Sequence, residues 1–221
     1  MDLEAVFTMT YAKKRELGEM AFSQTEYNGT GSISSLKKII AQHDAQKIFL
    51  VTGKKSYNES GAASALHCCG LDRLNTLRFQ DFQVNPKLED AVIGVELLVR
   101  FQPDLVIAVG GGSVIDMGKL ITALSAHAGG NYKSILKNSS ISAQGPPLVA
   151  IPTTAGTGSE ATQFAVAYLD QKKYSLAHHS ILPDYAIIDP ELTYNMVSHL
   201  SLIHISEPTR PPVASRMPSA A

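Results

Sequence analysis

The sequence predicts an α/β fold, a Rossmann-like, mainly parallel sheet with flanking helices, and three observations carry that reading. The apolar run Leu105-Val106-Ile107-Ala108-Val109 passes directly into Gly110-Gly111-Gly112-Ser113 and then into the helical pattern Val114–Ile121. Other apolar runs of strand length alternate with helix-like segments along most of the chain. A second short apolar run, Pro147–Pro152, ends in the small polar stretch Thr153-Thr154-Ala155-Gly156-Thr157-Gly158-Ser159. Alternation of this kind builds a parallel sheet buried between helices, because each crossover must cover a face.

Each element has a local reason. Ser34–His43 places Leu36, Ile39 and Ile40 on one helical face behind serines suited to capping. Lys47–Thr52 (KIFLVT) reads as a buried strand, and Leu88–Phe101 carries apolar residues at helical spacing. Pro103-Asp104 turns the chain into the strand Leu105–Val109; Met117–Ala128 continues as helix, and Glu160–Tyr168 also reads as helix. Tyr185–Asp189 is a late strand stopped by Pro190. In sheets of this class ligands sit beyond the carboxyl ends of the strands. Gly53, the Gly110 triplet and Thr153-Thr154 all lie just past strands, so they are expected to share one crevice.

Composition narrows the function. The chain has 221 residues and a formal net charge of -1, which gives no electrostatic case for nucleic acid or an anionic membrane surface. No apolar run approaches the roughly 20 residues that span a bilayer, and Met1-Asp2-Leu3-Glu4 does not open like a signal peptide. The two cysteines are adjacent, Cys68 and Cys69, and are expected to be buried thiols in a reducing compartment. A cytoplasmic location follows as the expectation.

The glycine triplet has a chemical reading. Glycines without Cβ let a pyrophosphate reach backbone N–H groups at a helix N-terminus, where the helix dipole also favours an anion; the other reading is a tight structural turn. Asp116, placed by the sequence in the first helical turn, either shapes the cofactor loop or answers the dipole. The hydroxyls of Thr153, Thr154 and Thr157 suit phosphate, ribose or a nicotinamide amide, or a plain polar loop. Gly156–Ala161 also fits GxGxxA, but no acidic residue ends a suitable following strand, so that spacing carries no weight. After the strand ending at Thr52, the loop Gly53-Lys54-Lys55-Ser56 has no acid until Glu59. A carboxylate there would hold a ribose 2′-hydroxyl and repel a 2′-phosphate; its absence reads either as acceptance of NADP or as a solvated basic turn. No histidine has a metal-ligand spacing, and GxSxG is not met at Ser159.

Taken together, Asn85-Pro86, DLVIAVGGGSVIDMGK at 104–119, AIPTTAGTGSEAT at 150–162 and LPDYAIIDPELT at 182–193 resemble the iron-containing (group III) alcohol dehydrogenases. That resemblance implies an NAD(P)-binding α/β domain over 1–199, with the family's all-helical, metal-binding domain missing. Gly111, Gly112 and Ser113 would hold the pyrophosphate, with Asn85 nearby; Gly110 and Asp116 belong to the same candidate cofactor loop. Thr153, Thr154 and Thr157 would line the nicotinamide side, Lys173 and Leu182 would approach ribose and adenine, and Gly53 would admit NADP, which is favoured slightly over NAD. The parent protein would oxidise an alcohol or reduce an aldehyde with Fe2+ or Zn2+, as a homodimer. A dehydroquinate synthase-like enzyme of the same fold is the alternative, and an inactive nucleotide-binding module is the alternative for the chain as written. The family's ligands are an aspartate and three histidines, two of them in a G-x-D-A-L-x-H segment. That segment is not found after Asn195–His199, and His199 and His204 are not read as ligands. Leu200–Arg210 (LSLIHISEPTR) corresponds to one translated frame of a transposase sequencing adapter. Residues 200–221 are therefore expected to be a disordered tail outside the family's pattern, with the native reading ending near His199.

Overall fold

Two sets of apolar side chains leave the sheet on opposite sides, and they decide how the chain is layered. A computed structural model describes residues 24–194; the predicted tail, with His199 and His204, lies outside them. In chain order the elements are β1 (Thr25–Asn28), α1 (Leu36–Gln42), β2 (Lys47–Thr52), α2 (Ser56–Glu59), α3 (Ala62–Cys68), β3 (Asn75–Phe79), α4 (Leu88–Phe101), β4 (Leu105–Gly110), α5 (Gly112–Ser125), α6 (Tyr132–Asn138), β5 (Leu148–Pro152), β6 (Phe164–Leu169), β7 (Lys172–Ala177) and β8 (Tyr185–Ile188). Short 3-10 turns fill several connections. Six strands form one parallel sheet in the order β1-β8-β5-β4-β2-β3. Ile48, Leu50, Leu105, Ile107 and Val109 pack with Leu36, Ile39, Tyr57, Ala62 and Leu66 of α1–α3. Their neighbours in sequence, Phe49, Val51, Val106 and Ala108, pack with α4, α5 and α6. This is the period-two alternation of a strand buried on both faces.

That layering fixes the crevice. β2 leads into α2 and α3 on one face, while β4 leads into α5 on the other, so the chain parts between these adjacent strands. Pairing of Thr52 with Val109 and of Gly110 with Pro152 brings the ends of β2, β4 and β5 level. Crevices of this kind, where the strand order reverses, are the ligand sites of open parallel sheets.

The structure meets the expected strands and the helix Leu88–Phe101 closely and differs in five places. The segment expected to continue as a helix from Glu160 to Tyr168 forms a 3-10 turn, Ser159–Ala161, and then β6. Ala165, Ala167 and Leu169 alternate inward along it, and β7 pairs antiparallel with it through Asp170 and Gln171, both at positive φ. Two residues at positive φ give the right-handed twist that a tight hairpin requires. Second, the serines before α1 do not cap it: the hydroxyls of Ser34 and Ser35 donate to the Gly31 and Ser32 carbonyls of a preceding 3-10 turn. Third, the helix expected from Met117 to Ala128 begins five residues earlier and ends at Ser125. Fourth, that earlier start places Asp116 beyond the first turn. Last, Cys68 is exposed and Cys69 only half-buried, its Sγ facing the Ile33 carbonyl, so neither is a core thiol.

Candidate functional site

The turn from β4 into α5 is built by close approach. A Cβ at Gly110 would lie 2.6 Å from a Val114 methyl, and one at Gly111 would lie 3.2 Å from Thr154 Oγ1. At Gly112 it would meet Ser159 Oγ and Thr157, both at 3.2 Å. The glycine and threonine loops therefore pack against each other closely, and a side chain on Gly111 or Gly112 would force them apart. No side chain caps α5, and the N–H groups of Gly112 and Ser113 donate no hydrogen bond among the described residues. Unsatisfied donors at the N-terminus of a 14-residue helix are suited to an anion.

The crevice brings most of the sequence candidates together. The Thr153 N–H donates to the Gly110 carbonyl at 3.0 Å, and Thr153 is buried. Thr154 and Thr157 stand over Gly111 and Gly112, and Asn85 reaches the helix start by donating its N–H to Ser113 Oγ at 3.4 Å. The segment carrying Asn85 is itself tied to β6, since Tyr168 N–H donates to the Pro86 carbonyl at 2.7 Å. Gly53 follows β2, and a Cβ there would run into Ser56 Oγ and lie 3.9 Å from Val114. Lys173 is exposed on β7, with its charge bearing on Asp116. Leu182 closes the His179–Ile181 turn, half-buried, its N–H donating to the His179 carbonyl, with no hydrogen bond to the glycine loop among the described residues. A separate cleft of about 540 Å³ lies between Gln83–Glu89 and the Asp170-Gln171 turn; of the candidates only Asn85 borders it.

Asp116 reaches from α5 to the neighbouring hairpin. Its carboxylate accepts the Val166 N–H at 3.2 Å, which docks β6 on α5. Burial raises its pKa above the ordinary value, against the lowering effects of the Val166 N–H, Lys119, Ser159 and Lys173. One turn further on, Lys119 is fully buried. Its ammonium donates to the Thr162 carbonyl at 2.6 Å, to Thr162 Oγ1 at 3.1 Å and to the Phe164 carbonyl at 2.9 Å. Burial pushes it down to about 8, while Asp116 and Glu160 oppose that shift. Three donors meeting three acceptors is how a buried lysine becomes tolerable. Through it α5 grips the segment that follows the threonine loop.

Sequence reasoning missed Lys119 and one other residue. Lys119 had a signal, a lone cation between Met117 and Leu120 in an apolar helix. Arg78 had none, because its meaning depends on a neighbouring strand. From β3 its Nε donates to Thr52 Oγ1 at 2.8 Å and an Nη to the Gly53 carbonyl at 3.2 Å, with the guanidinium 4.4 Å over the Tyr57 ring.

Fold and crevice together define a doubly wound α/β domain with its loops gathered at the carboxyl ends of a parallel sheet. Residues 24–190 match the family described as iron-containing alcohol dehydrogenase, and the chain belongs to that family. A long-chain primary alcohol dehydrogenase, AdhA, of Thermoanaerobacter ethanolicus is 32% identical, covering 89% of this chain and 53% of its own. An NADPH-dependent butanol dehydrogenase of Clostridium saccharobutylicum is 31% identical, covering 79% of this chain and 45% of its own. The crystal structure of sulfoacetaldehyde reductase from Bifidobacterium kashiwanohense in complex with NAD+ superposes with a TM-score of 0.73 at 28% identity, over 84% of this chain and 49% of that one. The chain thus spans about half the length of these relatives. Among the described residues no group of three or more His, Cys, Asp or Glu side chains could hold a metal ion. The described part therefore does not fit the family's metal.

Proposed function

We propose that residues 1–199 are the NAD(P)-binding domain of an alcohol dehydrogenase acting on a small alcohol or its aldehyde. The observation that carries this reading is the uncapped start of α5, where the N–H groups of Gly112 and Ser113 donate no hydrogen bond among the described residues and the threonine loop stands close by. The residues present suit a dinucleotide: Gly110–Ser113 would take the pyrophosphate on backbone donors, with Asn85 beside Ser113. Thr153, Thr154 and Thr157 would orient the nicotinamide end from the facing loop, and Lys173 and Leu182 would lie toward the ribose and adenine. Bound there, the nicotinamide supplies hydride chemistry. Asp116 and Lys119 would hold the threonine loop's continuation in place by docking β6 and Thr162 on α5. Gly53, with no carboxylate in its turn, leaves room for a 2′-phosphate, so NADP is preferred to NAD. The names of the relatives fit either nucleotide, one being NADPH-dependent and one holding NAD+.

A second reading, favoured by the lack of a metal-ligating cluster among the described residues, is that the chain as written binds nucleotide without catalysing the reaction. Both readings are tested by titrating the 221-residue chain with NADPH and NADH, following nicotinamide fluorescence, with and without Zn2+ or Fe2+ and a primary alcohol. Binding that Gly112→Val abolishes, without turnover, is the expected result. Metal-dependent turnover would refute the second reading, and absence of any nucleotide binding would refute the first.

A further inference from the structure

We infer that Arg78 is the recognition residue for the 2′-phosphate of NADP, acting from β3 beneath the turn at Gly53. This inference rests on the reading that the Gly53 turn holds the adenosine ribose. Two hydrogen bonds fix the guanidinium, one to Thr52 Oγ1 and one to the Gly53 carbonyl, and these occupy two of its five N–H donors. The Tyr57 ring lies against it 4.4 Å away, which orients its plane. Among the described residues no carboxylate pairs with it. The half-buried guanidinium therefore stands fixed and uncompensated beside Gly53, the residue whose side chain would otherwise contact the ribose 2′-oxygen.

The surroundings favour an anion of the size of a phosphate. Lys54 and Lys55 are exposed in the same turn; Lys54 is held by Asp81 at 3.1 Å, and Lys55 meets no carboxylate among the described residues. Ser56 Oγ occupies the space a Cβ at Gly53 would need, so a hydroxyl also faces the position. A planar guanidinium with free donors matches phosphate oxygens better than a lysine does, and prior fixation lowers the entropy lost on binding. The glycine at 53 removes the repulsion, and Arg78 supplies the attraction that makes the preference positive.

The test compares NADPH with NADH on the complete chain and its Arg78→Met and Arg78→Lys variants, with folding checked by circular dichroism. The expected result is an NADPH affinity lowered about ten- to a hundredfold in Arg78→Met, NADH affinity within about twofold of the unsubstituted chain, and partial recovery in Arg78→Lys. An equal loss for both nucleotides would show that Arg78 only braces the turn and would overturn the inference, as would an unchanged NADPH affinity. If the unsubstituted chain binds neither nucleotide, the cofactor reading itself fails. Should Arg78→Met misfold, phosphorus NMR of NADPH on the unsubstituted chain decides. A 2′-phosphate that stays dianionic well below its usual pKa of about 6 supports the contact, and an unshifted titration overturns it.

Discussion

Gly53 and Lys119 show how a single residue acts through its surroundings. At Gly53 the obstacle to a larger side chain is Ser56 Oγ, the end of a side chain that can rotate away. Gly53→Asp is therefore expected to fold and to lower the NADPH-to-NADH affinity ratio about tenfold or more, read by competitive titration; an unchanged ratio would remove Gly53 from nucleotide choice. Lys119 carries its pH dependence in its burial. Its folded-state pKa is about 8 against an ordinary 10.5, so between those values the unfolded chain binds more protons than the folded one. Unfolding free energy from this group then rises with pH across that window, because burying the charged form costs stability only while the group is charged. In Lys119→Met this contribution is gone. The stability difference between unsubstituted chain and variant should move in favour of the unsubstituted chain from pH 7.5 to 9.5, measured by urea unfolding, and a constant difference would contradict the assignment.

At the scale of elements, α5 is the hub of the site because it touches nearly everything that shapes the crevice. It packs on β4 through a point of contact where a side chain would not fit: a Cβ at Gly118 would lie 2.7 Å from the Ala108 Cβ. The intrinsic helix gain of alanine over glycine, about 1 kcal/mol, should be outweighed by displacement of the helix from the sheet. Gly118→Ala is expected to destabilise the chain by about 1–3 kcal/mol and to weaken nucleotide binding as well, because the same displacement moves the Gly112 and Ser113 N–H groups. A thermal melt with a nucleotide titration checks this; a stabilised variant would mean the helix can shift freely. The β6–β7 hairpin has the complementary role. It docks on α5 through Asp116 and Lys119 and on the Asn85–Lys87 segment through Tyr168, so it holds two walls of the crevice at once.

For the whole molecule, the sheet divides two cores, one under α1–α3 and one under α4–α6 and the hairpin. The proposed nucleotide would lie where the coverings change sides, in contact with loops rooted in both. Ligand binding to such a place should stabilise the entire cooperative unit by mass action, about 2.7 kcal/mol at one hundred times the dissociation constant. For a domain of this size that is a rise in Tm of about 5–10 °C. A larger rise with NADPH than with NADH at equal concentration is expected, by differential scanning fluorimetry, and no rise with either would contradict the site. Among the described residues no helix is long and apolar enough to cross a membrane.

Much of this was legible in the sequence because it rests on local chemistry. Fully apolar runs give buried strands, 3.6-residue spacing gave Leu88–Phe101, and glycines after a strand marked the tight turn from β4 into α5. The Glu160–Tyr168 segment was misread because its outcome depends on pairing with β7, and its alternating small residues satisfy either period over so short a span. Asp116 was misplaced because the helix start shifted to Gly112, where a capping side chain had been unnecessary to the sequence pattern. Tertiary structure alone decided the roles of Lys119 and Arg78. The partners of Lys119 lie more than forty residues away in the chain, and those of Arg78 lie at the end of the adjacent strand and in the turn that follows it. By itself the sequence determined that this protein would build a layered parallel sheet with a glycine loop at the carboxyl end of a strand, since burial and backbone freedom are set residue by residue. Which charges stand beside that loop, and which are consumed in holding it, follows only from how distant segments meet, because a charge takes its meaning from the groups that surround it.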